Sequence, residues 1–143
     1  MAKALAQSQG ALLLSEDVWL TRLYGDRIEG FDDDVRFSRT LGTVVGPLVV
    51  DRLALGQSVI MDFTANTRRR RDGFRSLFEA GQAAHLMHVL QTPDAVCLER
   101  IGRRNLEMSE GASRLTEADY WHVTSTFEPP EAAAGIRMQT YPS

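Results

Sequence analysis

Apolar residues fall into short runs separated by amphipathic stretches of helical length. "ALLLS" (11–15), "SVIMDF" (58–63) and "AHLMHVLQT" (84–92) read as buried strands, and "IRMQTY" (136–141) as a last strand. Residues 1–8, with Ala2, Ala4, Leu5 and Ala6 and no breaker, read as the end of a helix that Gly10 stops. "EDVWLTRLYGD" (16–26) predicts a short helix ending near Gly25, and "RIEGFDDD" (27–34) a loop. Asp32, Asp33 and Asp34 sit where a helix start favours negative charge. The next helix is expected from about Val35 to Leu55, with Leu41, Val44, Val45, Leu48 and Val49 inward and Gly56 as its stop. Pro47 inside it should kink or split it.

A loop and then a helix are expected over 65–82, stopping near Gly81, with further helices over 93–105, opening on Pro93, and over 116–127, capped by Thr116. "LEMSEGASR" (106–114) reads as mobile, and "EPPEAAAG" turns the chain. Strands alternating with helices imply an α/β fold with a mainly parallel sheet. Ligands bind such sheets at the carboxyl ends of the strands, where this sequence places Glu16, Asp17 and Asp62.

Length and composition narrow this little. The 143 residues suit a single domain, and 43% apolar with 24% charged residues is ordinary for a globular chain. A net charge of −3 gives no general reason to expect nucleic acid or an anionic membrane as partner. One cysteine, Cys97, excludes an internal disulfide and suits the cytoplasm. No apolar stretch approaches a membrane-spanning length, and the N-terminus has no signal-peptide pattern.

Four segments in series carry a resemblance over nearly the whole chain: "LLLSEDVWLTRLYGD", "SVIMDFTANTRRRRDGFRSLFEAGQAAHLMHVL", "CLERIGRRN" and "FEPPEAAAGIRMQTY". Together they resemble the small zeta-toxin-like P-loop kinases, AAA-family ATP-binding proteins. The resemblance implies a three-layer α/β/α P-loop kinase-like fold, ATP and Mg2+ as cofactors, and a small-molecule hydroxyl as phosphate acceptor. Members open with a strand, a Gly-rich phosphate loop and a helix whose continuation is similar to "AKALAQSQGALLLSEDVW". The 143 residues contain no G-x-x-x-x-G-K-[ST]. The expectation is therefore a first helix that has lost its beginning, with the first strand and phosphate loop missing and the chain inactive as given. The alternative is a short protein that begins with its own small helix. In this fold the first strand lies between the strands matching 58–63 and 84–91. Without it, those two pair directly or leave an open sheet edge for a protein partner.

The resemblance also assigns roles. Asp17 matches an aspartate in S-x-D-x-W that accepts the proton of the substrate hydroxyl, although Ser15, Glu16 or Asp17 could equally cap the following helix. Asp62 matches the strand-end acid that holds the magnesium shell through water; alternatively it caps the turn at Thr64. Within "TRRRR" (67–71), Arg68 and Arg69 read as a solvated helix face. Arg71 matches A-N-T-x-x-x-R and could face substrate or phosphate, with Arg75 on its side. Arg100 and Arg104 match lid arginines that stack on adenine or neutralise the transferring phosphate, Arg104 also contacting the reacting groups; an exposed amphipathic helix end is the alternative. His85 and His88 fall on opposite faces of a strand and cannot chelate one metal. Cys97, Trp19 and Trp121 read as packing residues. Two further functions stay open: a non-catalytic remnant acting as a protein-interaction module, and a nucleic-acid end kinase, which the acidic net charge disfavours.

Overall fold

The structure, a computed structural model, describes residues 1–107, 115–131 and 135–142. The chain divides into two compact units, Met1–Ala84 and His85–Ser143.

The first unit runs α1 (Ala2–Gln9), β1 (Leu12–Ser15), α2 (Glu16–Tyr24), a 3-10 turn (Gly25–Arg27), α3 (Phe31–Ala54), β2 (Val59–Asp62) and α4 (Arg68–Ala80). Gly10 ends α1 as expected: its φ of 60° is left-handed, a conformation that costs glycine nothing. β1 and β2 pair in parallel, with Leu12 opposite Val59 and Ser15 opposite Asp62. Leu14, Leu20, Phe37, Leu41, Val45 and Val49 form the core, with Trp19, Tyr24, Val59, Met61 and Leu77 packed against it. The rings of Tyr24 and Phe37 stack at 4.2 Å.

α3 departs from expectation at its start and in its buried stripe, and of the kink or split expected at Pro47 it shows no split. It starts at Phe31, so Asp32, Asp33 and Asp34 lie in its first turn instead of a preceding loop, still favoured there by the helix dipole. It continues through Pro47 without a split. Pro47 and Thr43, whose carbonyl loses its helical donor, are both exposed, so water can serve that carbonyl. The buried stripe advances in steps of four, Phe37, Leu41, Val45 and Val49, and therefore winds around the helix. Val44 falls outside it and is 62% exposed, and Leu48 is half-buried. Gly81 permits the close approach of the α4 end to α3: a Cβ there would lie 2.7 Å from Leu53 Cβ.

The second unit contains β3 (Met87–Gln91), α5 (Asp94–Glu107), α6 (Glu117–Ser125) and β4 (Met138–Pro142). β3 and β4 are also parallel, Met87 facing Met138 and His88 facing Gln139. Among the described residues the strands thus form two two-stranded sheets, in place of a direct pairing of the 58–63 strand with the 84–91 strand. Thr116 and Asp119 form a reciprocal capping box at the start of α6. Leu106 and Glu107, expected in a mobile segment, complete α5; residues 108–114 lie outside the described residues. Trp121, expected at a helix–sheet contact, is 44% exposed and donates its indole N–H to Glu117. Cys97 is half-buried. The Tyr120 hydroxyl donates to Asp94 at 2.6 Å, which pushes its pKa up to about 12. The whole is a mixed α/β protein with parallel strands, as the sequence implied.

Candidate functional site

β1 leaves its sheet through Ser15, Glu16 and Asp17, which send their side chains to different partners. Ser15 occupies the N-cap position of α2 but makes no capping bond; its hydroxyl donates to Asp62 Oδ2 at 3.5 Å. Glu16 is 2% exposed. Its Oε2 accepts the backbone N–H of Thr64 at 2.9 Å and the Thr64 hydroxyl at 2.6 Å. Its Oε1 accepts the Ser38 hydroxyl and, at 2.6 Å, Nη2 of Arg70. Nη1 of Arg70 donates to Ser38 Oγ at 2.8 Å. Asp17 is exposed in the first turn of α2.

Burial alone would raise the Glu16 carboxyl. Hydrogen bonds from Ser38, from the Thr64 side chain and backbone and from Arg70 outweigh it, and the pKa lies below its ordinary 4.5. Asp34 moves the other way. Burial first, then the negative charges of Glu16 and Asp17, raise its pKa above 3.8, against the opposing pull of Arg70. A carboxyl with a raised folded pKa lends stability that is complete below its ordinary value and lost as pH rises through the folded one. At neutral pH the Asp34 charge is therefore a net cost. Asp34→Asn is expected to raise the thermal midpoint at pH 7 and to give no gain below about pH 3.8, as calorimetric scans at the two pH values would read. A lower midpoint at pH 7 would refute the placement of that charge.

The structure brings Asp17 and Asp62 together with Glu16 at the carboxyl ends of one pair of parallel strands. Asp62 is exposed, and the Thr64 N–H that it might have capped goes to Glu16 instead. Arg71 is 6% exposed and donates from Nη1 to the Ala65 carbonyl at 2.9 Å. Arg75 pairs with Glu79 at 2.7 Å. Arg100 and Arg104 are exposed on α5 of the second unit. His85 accepts the Arg137 backbone N–H through Nε2, and His88 Nδ1 shares a hydrogen bond with the Tyr141 hydroxyl. The sequence does not single out Arg70 or Ser38, marks Thr64 only as a turn residue, and offers Glu16 as a strand-end acid or a helix cap. A usable signal existed for Arg70: it shares the spacing of Phe74 and Leu77, the face that α4 turns inward.

Among the described residues no three His, Cys, Asp or Glu side chains converge to hold a metal. One exposed carboxylate at a strand end fits magnesium, which keeps most of its waters and binds through one or two carboxylates plus substrate phosphates.

β1 and β2 are parallel, with Asp62 at the end of β2 and Glu16 and Asp17 directly after β1, in an α/β protein. The family described as AAA domain matches residues 1–130, and the chain belongs to that family. Membership supports nucleotide binding of the P-loop kinase type. No curated protein and no solved structure matches the chain. No helix among the described residues is long and apolar enough to cross a membrane.

Proposed function

We propose that this chain is a zeta-toxin-like, ATP-dependent phosphotransferase domain whose acceptor is the hydroxyl of a small molecule. The observation that carries the reading is the pair of exposed carboxylates, Asp17 and Asp62, at the ends of adjacent parallel strands, with Ser15 opposite Asp62 in register. Asp17 takes the proton of the acceptor hydroxyl and orients its oxygen. Asp62 holds the water shell of magnesium, which when bound neutralises charge on the phosphates. Glu16 and Arg70 hold each other in an ion pair behind these groups. A cytoplasmic setting suits the reading, since Cys97 stays reduced there.

The 143 residues contain no G-x-x-x-x-G-K-[ST], the loop whose backbone N–H groups and lysine supply most phosphate affinity in P-loop proteins. ATP binding by this chain is accordingly expected to be magnesium-dependent and no tighter than about 1 mM, the level of a few polar contacts. Titration calorimetry with and without magnesium, on wild type and Asp62→Ala, tests this. Micromolar affinity would show that some other group cradles the phosphates. Equal magnesium-dependent heat from wild type and Asp62→Ala would remove Asp62 from the metal contact.

A further inference from the structure

Glu16 directly precedes Asp17 and bonds Thr64, two residues after Asp62, yet it is closed off from solvent. One carboxylate ties the exit of β1 to the exit of β2 through Thr64, to α3 through Ser38 and to α4 through Arg70. Stability alone does not require this, because buried ion pairs replaced by apolar side chains of similar volume often cost nothing. What an apolar side chain cannot do is fix direction. Glu16 Oε2 accepts both polar hydrogens of Thr64, the second residue after Asp62, and so pins the backbone just beyond that carboxylate. The residue before Glu16, Ser15, contacts the Asp62 carboxylate itself. Both contacts on the Asp62 side therefore start from one anchored strand end.

We propose that Glu16 is the positioning residue for Asp62, holding the exits of β1 and β2 so that the Asp62 carboxylate keeps one orientation toward a divalent cation. The inference rests on the metal reading of Asp62 given above. Magnesium-type sites accept little departure from octahedral geometry, and outer partners that orient a ligand typically govern metal affinity 10–100-fold.

The test titrates Mn2+ alone into the isotopically labelled chain and follows line broadening of the Asp62 and Thr64 amides. Wild type is compared with Glu16→Gln, Thr64→Val and Asp62→Asn. Thr64→Val removes the hydroxyl bond to Glu16 and leaves every charge in place, so weaker binding there cannot come from altered charge. Both Glu16→Gln and Thr64→Val are expected to weaken Mn2+ binding by about tenfold while the β1 and β2 amides keep their wild-type dispersion. Should Glu16→Gln fail to fold, Thr64→Val decides. Affinity within about twofold of wild type in folded Thr64→Val overturns the proposal. Asp62→Asn separates the two failures. If it keeps localised Mn2+ binding, Asp62 does not hold the cation's water shell, and the metal reading falls together with this inference. If it loses binding while Thr64→Val does not, the positioning role fails alone.

Discussion

Glu16→Ala is expected to destabilise the first unit by about 3 kcal/mol, the largest loss from any single side chain at the strand ends. Removing one partner of a buried pair usually costs about 3–5 kcal/mol because the other charge is left without compensation. The lower figure applies because the Arg70 side chain is 32% exposed and can turn to water. The Thr64 and Ser38 groups that Glu16 accepts lose their partner at the same time. On a domain stable by about 5–15 kcal/mol, a loss of this size is visible as an early shift of the urea midpoint. The effect carries a pH signature. The folded pKa of Glu16 is depressed, so its contribution is complete above the ordinary 4.5 and is lost as pH falls through the lower folded value. The gap between wild type and Glu16→Ala should therefore be widest at neutral pH and should close in acid. A gap that stays constant from pH 7 to about pH 2 would mean that Glu16 acts by packing and not by charge.

The strands and most helices were legible because their signals are local. "ALLL" and "VIM" are unbroken apolar runs, Gly10 is a helix stop, and Thr116 is a cap residue directly before its helix. α3 was less legible because its inward stripe follows the winding of the helix over its neighbours. A list of apolar residues gives Val44 the same weight as Val45, and only packing separates the 62% exposed side chain from the 1% exposed one. At the site, the acids at the strand ends were readable from topology. The division of labour among Ser15, Glu16 and Asp17 was not, because it depends on Ser38, Thr64 and Arg70, which lie 22, 48 and 54 residues from Glu16. Arg70 was hidden for a further reason. In a run of four arginines every position has the same chemistry, and helical phase alone turns one of them onto a buried carboxylate.

In a version of the protein that carries a phosphate loop ahead of α1, Asp17→Asn is expected to lower phosphoryl transfer about 10²–10⁴-fold while leaving the fold intact, the reverse of the Glu16 result. Asparagine keeps the size and polarity of the side chain and removes its ability to take a proton. Asp17 is exposed, so stability should stay within about 0.5 kcal/mol of wild type. Magnesium-dependent ATP binding should also persist, because that contact is given to Asp62, on the neighbouring strand. The loss then belongs to the chemical step. An interaction that acts while the hydroxyl proton is leaving lowers kcat when removed, whereas uniform binding would raise KM instead. The measurement screens hydroxyl compounds with γ-labelled ATP at millimolar concentration, then follows the transferring acceptor with wild type, Asp17→Asn and Asp17→Glu. Glutamate restores a carboxylate on a longer arm, so partial recovery there points to proton transfer over mere polarity. Equal turnover by Asp17→Asn on every acceptor that wild type phosphorylates would remove Asp17 from the mechanism.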